Sequence, residues 1–385
     1  MLRRLAPLAA LSLAVASCVA GDPVLGEGVA IGATTTTSTT TPQAAAATTT
    51  TASPGAATAG VVVIPAGGAP LYETPDGTQM MVVHQGITMG FTTRQGEYLE
   101  VVTTCNDPAW VREGEVEVTG QATRAEPGPG FDLSGAVIVL DPGHGDRDWG
   151  GVGPSGLAEK TVNLDIAERV RSLMLRSNDV DWITGAVTDG AAVEAFGTVW
   201  LTRDRNGPND GDFELGLGFR AELANAAGAD AFVSIHNNTV PRISTEIPGT
   251  EVFYSIATDQ SDRLASLIYQ ELLLGFAAFE ADWTGGDLLG ARARIDPETG
   301  EDYYGVLRRS EMPAVIVEGI YISEPDQEAL LESDEFRQAY AESVYRGVVR
   351  FLTTDETGEG IREPELFPDD AGTVDSSACQ IPSQP

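Results

Sequence analysis

Ala136-Val137-Ile138-Val139-Leu140-Asp141-Pro142-Gly143-His144-Gly145 is an apolar run of strand length that ends in an aspartate, a Pro-Gly turn and a histidine. A run with no polar residue at alternate positions predicts a strand buried on both faces. Such strands belong to parallel sheets covered by helices. The pattern then keeps alternating. Residues 160–175 set Val162, Ile166, Val170 and Leu173 on one helical face, Val199-Trp200-Leu201 is a second strand, and 213–227 is a second helix. Residues 231–235 and 251–254 are further strands, 262–276 is helical, 313–317 is a strand and 335–352 is a long closing helix. The expectation for 133–354 is an α/β domain with a mostly parallel twisted sheet flanked by helices. Chemistry in such sheets gathers at the carboxyl ends of the strands.

Upstream, residues 61–120 hold short apolar runs (61–64, 80–83, 99–102, 116–118) separated by turn signals such as Pro75-Asp76-Gly77 and Gln95-Gly96. They predict a small all-β, barrel-like domain. Residues 121–132, with AEPGPG at 125–130, read as a linker, and 355–385 as an acidic tail. His84 falls in the β unit, where it reads as a turn or surface residue.

Composition excludes one class of partner. With 23 Lys+Arg against 57 Asp+Glu the formal net charge is −34, whereas nucleic acid must be met by clustered cations. The hydrophobic share of 42% excludes wholesale disorder. Lys160 is the single lysine, and the histidines are His84, His144 and His236.

The amino terminus reads as an address. Arg3 and Arg4 precede an apolar stretch, 5–16, too short to span a bilayer, in the layout of a signal peptide at 1–17. It ends at Val15-Ala16-Ser17-Cys18, which resembles the bacterial lipobox and makes Cys18 the candidate lipidated residue. The alternative is an ordinary signal peptide with an incidental cysteine. Residues 18–60 are rich in Thr, Ala and Pro, and no charge occurs from Gly28 to Tyr72. The segment is expected to be a disordered tether. In an exported protein the other two cysteines, Cys105 and Cys379, are expected to pair, the alternatives being separate thiols or intermolecular bonds.

Two of the three histidines directly follow apolar strands, His144 after 136–140 and His236 after 231–235. Glu159 opens the first predicted helix, and Glu318 directly follows 313–317. A catalytic zinc site uses three ligands drawn from His and carboxylates, plus a carboxylate that is not a ligand to take a proton from water. His144, Glu159 and His236 supply the ligands and Glu318 the base. Taken singly, each has a structural reading: a hydrogen-bonded histidine, a helix-dipole glutamate, a solvated strand end. Their joint placement favours the metal.

These residues also carry a family resemblance. Leu140–Gly145, Gly156-Leu157-Ala158-Glu159-Lys160 with Asn163-Leu164, Leu201-Thr202-Arg203-Asp204, Arg220 with Ala224-Asn225 and Ala229-Asp230, Ser234–Asn238, and Pro313–Glu318 follow one another in the order of the zinc-dependent N-acetylmuramoyl-L-alanine amidases. The resemblance spans about 137–352. It implies hydrolysis of the amide joining N-acetylmuramic acid to the L-alanine of peptidoglycan stem peptides. It also implies one Zn2+ per chain on His144, Glu159 and His236, with Glu318 catalytic. Asp141 is expected to orient His144 or its loop, and Asn238 to contact substrate or fix the His236 loop, with a purely structural role equally open. Lys160 matches the family's Glu-Lys pair and is expected to face outward or pair with an acid. The run Gly319-Ile320-Tyr321-Ile322-Ser323-Glu324 departs from the family pattern, and 292–304 reads as an inserted acidic loop near the site. The β unit resembles bacterial Src-homology-3-like domains, which implies contact with wall peptides. The expected location is the outer face of the membrane, lipid-anchored in the cell envelope. Competing functions are a non-catalytic peptidoglycan-binding lipoprotein and a zinc peptidase acting on stem peptides.

Overall fold

The computed structural model describes residues 57–145, 148–203, 215–239, 244–245, 249–284 and 289–367, with 244, 245 and 284 described by their backbone alone. Cys18, the tether up to residue 56, Asp204 and Cys379 lie outside the described residues. Among the described residues no helix is long and apolar enough to cross a membrane.

The β unit is one antiparallel sheet of β1 (Gly60–Val63), β2 (Ala69–Tyr72), β3 (Gln79–Val83), β4 (Thr88–Gln95), β5 (Tyr98–Val102), β6 (Pro108–Arg112) and β7 (Glu117–Gly120), in the order β3-β2-β6-β5-β4-β1-β7. Val62, Leu71, Val83, Phe91, Leu99 and Val111 fill its core.

The second sheet contains β8 (Val137–Pro142), β11 (Thr198–Leu201), β12 (Ala231–Asn238), β14 (Glu251–Tyr254), β16 (Gly290–Arg292) and β18 (Ala314–Tyr321). Between them in the chain stand the short strands β9 (Asn178–Val180), β10 (Val187–Asp189), β13 (Ser244–Thr245), β15 (Trp283–Thr284) and β17 (Arg294–Ile295), and β19 (Glu365–Leu366) comes last. The helices are α1 (Glu159–Met174), α2 (Leu217–Ala227), α3 (Ser261–Phe276), α4 (Gly305–Arg309), α5 (Pro325–Glu332) and α6 (Asp334–Thr353). Successive strand residues point to opposite faces, so β8 divides its apolar run. Ile138 and Leu140 pack with α1, α3 and α6, whereas Val137 and Val139 pack with α2 and α4. Burial on both faces is what the uninterrupted run requires.

Among the described residues the sheet is mostly parallel, with one antiparallel pairing. The order is β11-β8-β12-β18-β14-β16, and β11, β8, β12 and β18 are parallel, but β14 pairs antiparallel with β18 and β16 follows β14. The sheet is mixed. Strand composition does not encode direction. Because β14 runs against β18, Glu251, the first residue of β14, stands at the same rim as the last residues of β8, β12 and β18.

The two units share a core. Leu215 and Phe219 of the α2 region join the β unit's apolar cluster, and Gly90 lies so close to α2 that a Cβ there would meet the Glu222 carbonyl oxygen at 2.6 Å. The N-cap residue of helix α2, Gly216, has no side-chain cap to offer. Asn106 of the β unit supplies it, with Oδ1 accepting from Phe219 N at 2.8 Å. Residues 121–132 run over the α/β unit, Ala122 N donating to Ala227 O and Gly128 N to Leu352 O. The chain after α6 also stays attached: Arg362, Glu365 and Phe367 donate their N–H groups to Ala291, Ala293 and Ile295.

Candidate metal centre

Helix α1 begins with Glu159, where the helix dipole favours a carboxylate. Its Oε2 lies 3.1 Å from His144 Nε2, and its Oε1 lies 3.2 Å from His236 Nδ1. One ligand atom from each residue lies within 4.8 Å of the others. A tetrahedral ion with bonds near 2.0–2.1 Å separates its ligands by about 3.3 Å, so this donor set fits zinc. The unused atoms are committed. His144 Nδ1–H donates to Asp148 Oδ2 at 2.7 Å, which leaves Nε2 as the ligand. Glu159 accepts from Asn237 N, Asn163 Nδ2 and Gly151 N.

The loop after β8 is built for close approach. A Cβ on Gly143 would stand 2.2 Å from the His236 ring, and one on Gly150 would stand 2.5 Å from both Glu159 Oε2 and His144 Cδ2. His144 itself has φ of 60°, a left-handed conformation that is costly for a non-glycine residue. Two arginines hold it there. Arg203 donates to Pro142, Gly143, His144 and Lys160 carbonyls, and Arg220 donates to Pro142 and His144 carbonyls. Asp141 does not touch the imidazole. Its Oδ1 accepts from Arg220 Nη1 (2.5 Å) and Thr202 Oγ1 (2.6 Å), and its Oδ2 accepts from Ser234 Oγ (2.6 Å). It therefore orients the loop through Arg220, and Asp148 orients His144. Asp148 stands outside the expected set, in a turn with no helical or strand periodicity to single it out.

Glu318 lies opposite His236 on the parallel neighbour β12 and opposite Glu251 on the antiparallel neighbour β14. Residues facing each other across strands project on one side, so His236, Glu318 and Glu251 form a row. Oε2 of Glu318 is buried and accepts no hydrogen bond from any described residue. Glu251 is a further member that the sequence did not single out. Its Oε2 accepts from Asn238 Nδ2 (3.0 Å) and Tyr321 O–H (2.7 Å), while Arg292 and Arg294 face its Oε1 at 3.9 and 3.8 Å. Asn238 thus holds Glu251 and also the Thr239 N–H. Of the loop read as acidic, the two arginines face the site. Lys160 stacks on Trp149, and His84 bonds only locally to the Gln85 carbonyl.

Burial disfavours charge on His144, but hydrogen bonds to Asp148 and Glu159 outweigh it and push the pKa up to about 10. Burial lowers that of His236. Glu159, also buried, is held well below the usual carboxylate range by its two histidines. Glu318 is held well above that range by burial and by the charges of Glu159 and Glu251. Without metal, His144 at neutral pH carries a proton on Nε2 that an incoming cation must displace. Zinc binding is therefore expected to release at least one proton, with affinity rising about tenfold per pH unit from about pH 7 to 9. Calorimetry in buffers of different ionisation heat measures this, and identical heats would contradict it. Glu251→Gln removes one of the charges that hold Glu318 up. The Glu318 carboxyl is then expected to titrate at lower pH, as infrared difference spectroscopy of the carboxyl reads it, and an unmoved titration would exclude that coupling.

Residues 138–350 match the family model described as N-acetylmuramoyl-L-alanine amidase. The chain is 28% identical over 275 residues to the N-acetylmuramoyl-L-alanine amidase AmiC of Neisseria meningitidis serogroup B, covering 62% of this chain and 58% of that protein. It is 28% identical over 225 residues to the germination-specific N-acetylmuramoyl-L-alanine amidase of Bacillus subtilis, covering 57% and 81%. Among solved structures, the N-acetylmuramoyl-L-alanine amidase AmiC2 of Nostoc punctiforme aligns at 30% identity with a TM-score of 0.41, over 56% of this chain and 97% of that one.

Proposed function

Since the chain belongs to the N-acetylmuramoyl-L-alanine amidase family through residues 138–350, we propose that it hydrolyses the amide between N-acetylmuramic acid and the L-alanine of peptidoglycan stem peptides. His144, Glu159 and His236 would hold one zinc ion, which would supply polarisation of the scissile carbonyl and acidification of the attacking water. Glu318 is the proton carrier. It takes a proton from water as the C–O bond forms and delivers it to the departing L-alanine nitrogen as the C–N bond breaks. The observation that carries this reading is the buried, unpartnered Glu318 Oε2, one strand away from a His-Glu-His donor set of zinc dimensions.

On the same reading the chain is exported and lipid-anchored through Cys18, and its β unit meets wall peptides. Cys105 is disulfide-bonded. If Cys18 carries lipid, Cys379 is the remaining partner, and non-reducing peptide mapping tests that bond.

Product analysis tests the activity. Incubation of the protein with peptidoglycan is expected to free intact stem peptides with an L-alanine amino terminus and to leave the glycan unmodified. Shortened stem peptides would mark a peptidase, and binding without products would mark the non-catalytic alternative.

A further inference from the structure

Trp149 lies between two residues that both touch metal-centre side chains. On one side Asp148 holds His144 Nδ1 at 2.7 Å. On the other, Gly150 packs against His144 and Glu159 closely enough to exclude a Cβ. The backbone around it is pinned: Gly150 N donates to Asp148 Oδ1 (3.0 Å), Gly151 N to Glu159 Oε2 (2.7 Å) and Lys160 N to Trp149 O (3.2 Å). The indole is nevertheless 54% exposed, and Val152 in the same turn is 50% exposed. Lys160, the residue after Glu159, places Nζ 4.9 Å from the centre of the indole ring. A cation on an aromatic face fixes the ring's orientation.

Single exposed apolar side chains are ordinary. This one sits on a turn whose flanking residues touch the metal-ligand side chains, and it is steadied by a cation. We propose that Trp149 is a sugar subsite whose indole face takes the C–H face of the N-acetylmuramic acid ring. The inference rests on the amidase reading. On the amine side of the scissile bond stands L-alanine, whose methyl group cannot cover an indole. On the acyl side, beyond the lactyl group, stands a pyranose with a flat C–H face and a polar rim that stays in water, as a half-exposed subsite requires. Contact with a non-reacting part of the substrate supplies binding energy that the reaction can use. Trp149 is then a specificity determinant, remote from the reacting atoms.

The test compares the full chain, Trp149→Ala and Trp149→Phe on two soluble substrates, an N-acetylmuramoyl peptide and the N-lactoyl peptide of the same sequence without the sugar. Trp149→Ala is expected to lower kcat/KM about tenfold on the sugar-bearing substrate and to leave the lactoyl peptide unchanged, with zinc content intact. Trp149→Phe is expected to keep most of the preference. Equal losses on both substrates, or no loss on either, would overturn the subsite. If the parent protein cleaves neither, the amidase reading fails separately. The subsite is then decided by titrating a muramyl disaccharide into the parent and Trp149→Phe proteins: quenching of indole fluorescence that depends on Trp149 supports it, and its absence overturns it.

Discussion

Glu318→Gln is expected to lower turnover by about 10²- to 10⁴-fold, the range a positioned general base contributes, while zinc remains bound. The side chain stands at the centre of the His236–Glu318–Glu251 row, and its free Oε2 has no structural bond to lose. Glutamine keeps the shape and cannot carry the proton. The elevated pKa of the carboxyl has causes that a bound dication would oppose, since a nearby ion of that charge dominates the local field. Metal analysis beside steady-state kinetics separates the outcomes. Retained activity would remove Glu318 from the chemistry, and loss of zinc would make it part of the metal site instead.

The second large effect is structural. Asp141 is 1% exposed and Arg220 5% exposed, and their ion pair joins Thr202 and Ser234 in one buried network. Asp141→Ala leaves the guanidinium buried without its counter-charge, which typically costs about 3–5 kcal/mol. The loss should also weaken zinc binding, because Arg220 holds the carbonyl of a histidine in a strained conformation. Burial alone would raise the Asp141 pKa, but Arg220 and the two hydroxyls outweigh it and lower it. A depressed carboxylate contributes stability above its unfolded pKa of about 3.9 and loses it as pH falls through the lower folded value. The parent protein should therefore lose stability in acid more steeply than Asp141→Ala. Denaturant unfolding across pH measures both. A change under about 1 kcal/mol, well below the cost of an unpaired buried charge, would show that the network relaxes around the gap.

Much of this was legible before the structure. The apolar runs 136–140, 231–235 and 313–317 are buried on both faces, and the sites that follow them in the chain, His144, His236 and Glu318, meet as their positions imply. What escaped has physical causes. Residues at the carboxyl ends of strands are easily sought, but β14 runs backwards and offers its first residue, Glu251, to the same rim. Asp148 sits in a glycine-rich turn with no periodicity to mark it. Asn106 caps a helix more than a hundred residues away in sequence, a contact that exists only once the two units pack. Arg292 and Arg294 were hidden in a segment whose other charges are acidic, and it is the sheet edge that brings them to Glu251.

If His144, Glu159 and His236 hold the one zinc ion on which amide hydrolysis depends, activity follows the metal. The direct measurement removes metal with a chelator, adds zinc back in increments and follows release of stem peptides from peptidoglycan. Activity should be absent in the stripped protein and should rise to a plateau at one zinc per chain, and His236→Ala should show no plateau. Full activity without metal, or an unaltered plateau in His236→Ala, would show that hydrolysis does not depend on zinc held by these residues.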